Sequence, residues 1–88
     1  MKTSFDIIIL YDTQRYKYHI DLLKITRTEE IYQLTARNKT LILKNNRPIL
    51  KAKRLKHWQM TWKVEGQIWN VHFQELICKA IEKEINNN

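Results

Sequence analysis

Glycine, proline and cysteine each occur once in 88 residues, and each scarcity excludes something. With Gly66 alone, the chain has no phosphate-cradling glycine loop, no nucleophile elbow and no dinucleotide fingerprint. The lone Cys78 rules out an internal disulfide framework and a cysteine-rich zinc site. Toward the edge of an apolar helical arc, it reads as a small buried hydrophobe rather than a nucleophile. His19, His57 and His72 lack paired metal-ligand spacing, so neither a metal nor another cofactor is expected. Long apolar runs are missing too. Ile7 to Tyr11 falls far short of the roughly 20 residues that a membrane-crossing helix needs, and no basic-then-apolar leader with a small-residue cleavage site is present. These absences point to a cytoplasmic, non-enzymatic protein with no membrane contact and no evident small-molecule substrate.

One further absence concerns a single sign of charge. Between Glu30 and Glu65 there is no Asp or Glu, while Arg37, Lys39, Lys44, Arg47, Lys51, Lys53, Arg54, Lys56 and Lys63 are all basic, nine of the sixteen Lys and Arg in a chain of formal charge +7. A surface that serves only solubility mixes both signs. Segment 31–64 therefore suggests an anionic partner, with nucleic acid first because closely spaced phosphates reward clustered cations through counterion release. The nine residues are the candidate phosphate contacts. Contacts of that kind position a ligand without reading bases, so little sequence specificity is expected.

What the chain does contain is aromatic and β-branched residues in alternation. Phe5 to Tyr11 reads as a strand, apolar on both faces, which predicts either a central strand or one whose outer face meets a partner chain. Asp12-Thr13-Gln14 is a turn. Arg15 to Leu23 alternates, with Tyr16, Tyr18, Ile20 and Leu22 on one face. After Thr26-Arg27-Thr28, residues Glu30 to Arg37 place Tyr32, Leu34 and Ala36 together, and Asn38-Lys39 turns the chain into Thr40 to Lys44. Asn45-Asn46 predicts a tight hairpin, because Asn tolerates the left-handed conformation. Pro48 predicts a strand start or sheet edge, and Ile49 to Lys56 an edge strand or ordered basic loop. His57 to Val64, HWQMTWKV, alternates strictly. Beyond Gly66, Phe73, Leu76, Ile77, Ala80, Ile81 and Ile85 recur at helical spacing, with Asn70 as candidate N-cap.

The expected fold is thus α+β: an antiparallel meander of four to six strands followed by one C-terminal amphipathic helix packed on one sheet face. It forms a single domain over 1–88, loose at about 1–4 and 86–88. The same architecture, sheet then helix, resembles that of small single-strand-binding domains such as the PUR and Whirly types, although no motif of theirs aligns with these residues. Trp58 and Trp62 fall on one strand face with Met60 and Val64, the face that the helix needs, so both read as core. A tryptophan at the sheet margin, Trp69 included, would instead offer a base a stacking surface. A second functional reading, a protein-interaction or structural module acting as a homodimer, rests on the two-sided hydrophobicity of Phe5 to Tyr11.

Overall fold

Alternation becomes a sheet in the computed structural model, which describes residues 3–37, 39–55, 59–66 and 70–86. Five strands, β1 (Ser4–Tyr11), β2 (Gln14–Ile25), β3 (Glu30–Ala36), β4 (Lys39–Asn45) and β5 (Trp62–Gly66), pair antiparallel in chain order. A short helix α1 (Arg47–Ala52) lies between β4 and β5, and α2 (Val71–Asn86) closes the fold. The α+β meander with a C-terminal helix is the architecture expected from the sequence.

Turn chemistry sets the registers. Tyr11 pairs with Gln14, leaving the two-residue loop Asp12-Thr13 with φ of 52° and 64°. Two successive positive φ values match the right-handed twist of a hairpin. Between β2 and β3, the Thr26 hydroxyl accepts the N–H groups of Thr28 at 3.2 Å and Glu29 at 2.9 Å, closing that loop locally. Gly66 ends β5 at φ 120°, where an added Cβ would lie 2.8 Å from the Thr40 carbonyl oxygen, so only glycine fits.

Period two sorts the side chains onto two faces. One carries Phe5, Ile7, Ile9, Ile20, Tyr32, Leu34, Leu41 and Leu43, all buried, and α2 covers it with Phe73, Ile77, Cys78, Ile81 and Ile85. Each large side chain so buried contributes roughly 1.5–3 kcal/mol, enough to hold one helix on the sheet. The Asn70 Oδ1 accepts the Phe73 N–H at 2.7 Å, so Asn70 is the N-cap that the sequence suggests. Among the described residues no helix covers the opposite face of the sheet, the open face.

Five expectations are corrected. β1 is an edge strand, so the central-strand reading of Phe5 to Tyr11 fails and its outer side is exposed. Asn45-Asn46 makes no hairpin: Asn45 is buried, its Oδ1 accepts the Arg47 N–H at 2.9 Å, and the chain enters α1 instead. Pro48 sits in the first turn of that helix, where its missing N–H costs nothing. Ile49 to Ala52 is accordingly helical rather than an edge strand or loop, and Leu, Lys and Ala are good helix formers. The strand expected over 57–64 begins only at Trp62, because the Thr61 N–H donates to the Asn46 side chain at 2.9 Å rather than to a neighbouring strand. His57, Trp58 and Trp69 lie outside the described residues.

Candidate nucleic-acid interface

Trp62 answers one question about the aromatics. It is half-buried against Tyr32, with ring centroids 6.2 Å apart, and its Nε1–H donates to Glu82 of α2 at 2.7 Å. Its ring edge is bonded inside the fold and the ring packs partly buried against the core. The open face carries Ile8, Leu10, Ile31, Ile42, Thr35 and Thr40 and, among the described residues, no Phe, Tyr or Trp, since Phe5, Tyr11, Tyr16, Tyr18, Tyr32 and Trp62 all belong to the helix side by register.

The nine candidate basic residues are contiguous in sequence and divided in space. β4 runs from Lys39 at one end of the sheet to Asn45 at the other, six steps of about 3.3 Å, so roughly 20 Å separates the two groups. At the α1 end, Arg47 is withdrawn from any ligand. Its Nη1 donates at 3.1 Å to the carboxylate of Glu30, which is only 3% exposed, and its Nη2 donates to the Ile85 carbonyl at 3.4 Å. Asn45 Nδ2 donates to the other Glu30 oxygen at 3.1 Å. Lys44 and Lys63 pair across β4 and β5 on the open face, but Lys44 Nζ lies 2.7 Å from Glu65, whose carboxylate holds the ammonium above its ordinary range. Lys51, Lys53 and Arg54 are exposed at the end of α1. Arg54 has φ 57° and closes a Schellman motif, with its N–H bonded to Lys51 O at 3.1 Å and Leu55 N–H to Leu50 O at 2.8 Å. Lys56 lies outside the described residues.

At the other end, Arg37 and Lys39 meet two cations that the sequence reading passed over. The β1–β2 hairpin is longer than the β3–β4 hairpin, and β2 pairs with β3 only from His19 onward. Residues 15–18 of β2 therefore overhang, leaving a notch of about 500 Å³ lined by Arg15, Tyr16, Lys17, Tyr18, Ala36, Arg37 and Lys39. None of these described lining residues is acidic. Tyr16 and Tyr18 stand parallel, centroids 6.3 Å apart at 10°, each edge-on to Phe73 of α2. Burial, with Tyr16 beside it, raises the Tyr18 phenol above its usual range. Lys17 has Asp6 at 3.6 Å, but Lys17 is largely and Asp6 about half exposed, and such surface pairs are worth little. The legible signal was hairpin length: eight and twelve residues around one turn, seven and seven around the next.

Two groups resemble catalytic chemistry and are not arranged for it. Ser4, His19 and Asp6 stand in the order hydroxyl, imidazole, carboxylate, with Oγ 2.9 Å from Nε2 and Nδ1 2.8 Å from Asp6. However, Asp21 lies 3.1 Å from the same Nε2 and accepts the Ser4 hydroxyl proton at 2.8 Å. Both ring nitrogens thus face acceptors, Asp6 foremost, which raises the His19 pKa and favours an imidazolium unable to take a proton from serine. Cys78 is buried, and desolvation followed by the charges of Glu82 and Glu75 pushes its thiol up to about 12, far from a thiolate at neutral pH.

No three metal-binding side chains cluster among the described residues, and no helix among them is long and apolar enough to cross a membrane. Comparison with protein-family models, with curated proteins and with solved structures finds no match.

Proposed function

We propose that the protein is a small non-enzymatic module that binds single-stranded nucleic acid at the notch, with little sequence specificity. The observation carrying this reading is the convergence of Arg15 and Lys17 from β2, Arg37 from the turn and Lys39 from β4 on a notch whose lining also includes the stacked pair Tyr16 and Tyr18. Cations spaced around a notch suit successive phosphates, and adjoining aromatic rings suit an unpaired base, whose stacking is worth about 1–3 kcal/mol. A volume of about 500 Å³ is on the scale of one nucleotide and leaves no room for a duplex. Arg47 is not among the contacts. Lys51, Lys53 and Arg54 are secondary at most, being about a strand's length away.

Fluorescence anisotropy of labelled single- and double-stranded DNA and RNA tests the reading. Single strands should bind more tightly, and four phosphate contacts give log affinity a slope of about −3 against log salt. Reversing Arg15, Lys17, Arg37 and Lys39 to Glu should remove binding with the circular-dichroism spectrum intact, whereas reversing Lys51, Lys53 and Arg54 should leave most of it. Equal loss from the two sets would reject the notch as the site.

A further inference from the structure

The sheet has two edges, and they are guarded unequally. β5 is five residues long, carries Lys63 and Glu65, and ends at Gly66. Short, charged edges resist further pairing. β1 is eight residues long and regular, with no proline, bulge, Lys or Arg, and a single acid, Asp6. The tight turn decides which of its backbone groups are free. Residues flanking a two-residue loop form a hydrogen-bonded pair, so Tyr11, Ile9, Ile7 and Phe5 bond β2, while the N–H and C=O of Leu10, Ile8, Asp6 and Ser4 point out of the sheet. The Leu22 N–H, donated to the Thr3 carbonyl at 2.8 Å, continues the same alternation. Those outward positions also carry the exposed apolar side chains of the open face, Ile8 at 50% and Leu10 at 71%.

We propose that β1 is a homotypic interface: two copies pair antiparallel through β1 across a two-fold axis, with Ile8 opposite the partner's Leu10. A ten-stranded sheet results, with both α2 helices on one face. The occupant is a second copy because the edge is self-complementary: an outward-bonding apolar pair meets its own kind under two-fold symmetry, as an isologous contact requires. Charge agrees. In a chain of net charge +7, two copies repel least where no Lys or Arg lies on the edge strand, and of the two edges only β1 meets that condition. Asp6, held by His19 and Lys17 within its own copy, lies outside the apolar cluster in this register.

Sedimentation equilibrium of the full chain over a wide concentration range, at low and high salt, tests the interface without nucleic acid. Wild type should self-associate, more strongly as salt screens the like charges of the two copies; phosphate binding moves the other way. Ile8→Lys with Leu10→Lys should leave a folded monomer, and Leu23→Lys, an equally exposed site away from the β1 edge, should still associate. A wild type that stays monomeric at high salt, or an edge-lysine variant that associates like wild type, would overturn the proposal.

Discussion

At the α1 end of the sheet, Arg47 lies against Glu30 with 15% of its side chain exposed, whereas at the notch Arg37 stands on an exposed turn among Arg15, Lys17 and Lys39. Both arginines belong to the same acid-free segment. The first is a structural cation, joining β3, α1 and the last turn of α2 through Glu30 and the Ile85 carbonyl; the second shares its notch, among the described residues, with cations, two tyrosines and Ala36. A run of one charge sign along a chain is therefore not a patch of that sign in space. Glu30, immediately before the run, and Glu65, immediately after it, reach back to neutralise Arg47 and Lys44.

Alanine at the two arginines separates these roles. Arg47→Ala leaves a buried carboxylate without its cation and should cost about 3–5 kcal/mol of stability, read from urea unfolding, since removing one partner strands the other. Arg37→Ala should stay within about 0.5 kcal/mol of wild type while weakening binding of a labelled single strand. Comparable stability losses at both positions would mean that the two ends are not different in kind.

Much of this fold was legible because period two is legible: strands 5–11, 15–23, 30–37 and 40–44 all appear close to their expected places, as does the helix from Asn70. What failed was the stretch after Asn45. Its helix depends on a buried asparagine whose partners, Glu30 and the Arg47 N–H, are a fold-level and a local contact competing with the hairpin that Asn-Asn suggests. Thr61 likewise gives its N–H to Asn46, which shortens β5 in a way that alternation alone does not show. The notch was half legible. Arg37 and Lys39 stood out by charge, but Arg15 and Lys17 sit between Asp12 and Asp21 in sequence and join the others only because one hairpin overhangs its neighbour.

That overhang can be adjusted at its tip. Thr13 is β-branched yet holds φ 64° beside Asp12, and a non-glycine residue in that region costs about 1–2 kcal/mol. Glycine there gives back part of the gain through its larger unfolded-state entropy, about 0.4–1 kcal/mol. Thr13→Gly should thus stabilise the protein by roughly 0.5–1 kcal/mol in thermal or urea unfolding. If Arg15 and Lys17 bind from a hairpin that is already ordered, affinity for a single strand should hardly change. A marked gain in affinity would show that the free notch is less organised than its far counterpart.

Beside the notch, two residues along β2 from Lys17, His19 stands in a row between Asp6 and Asp21. The hydrogen bond from His19 holds Asp6 below its ordinary 3.8, and Asp6, with Asp21, holds His19 above its ordinary 6.5. The signs follow from linkage. His19, raised on folding, contributes stability that is complete below about 6.5 and is lost as pH rises through its folded value; Asp6, lowered on folding, contributes above about 3.8 and loses that contribution as pH falls through its own. All three side chains are about half exposed, so the effect is small. Its direction is measurable: in an NMR titration the His19 ring should titrate above 6.5, and Asp6→Asn should bring it down. Above that pKa the row carries two negative charges rather than one net, and the added negative charge falls beside Lys17 of the notch. A ligand at the notch, where Lys17 lies 3.6 Å from Asp6, should therefore weaken with the loss of the His19 proton, whereas one held only by Lys51, Lys53 and Arg54 at the far end, beyond a Debye length, should barely respond.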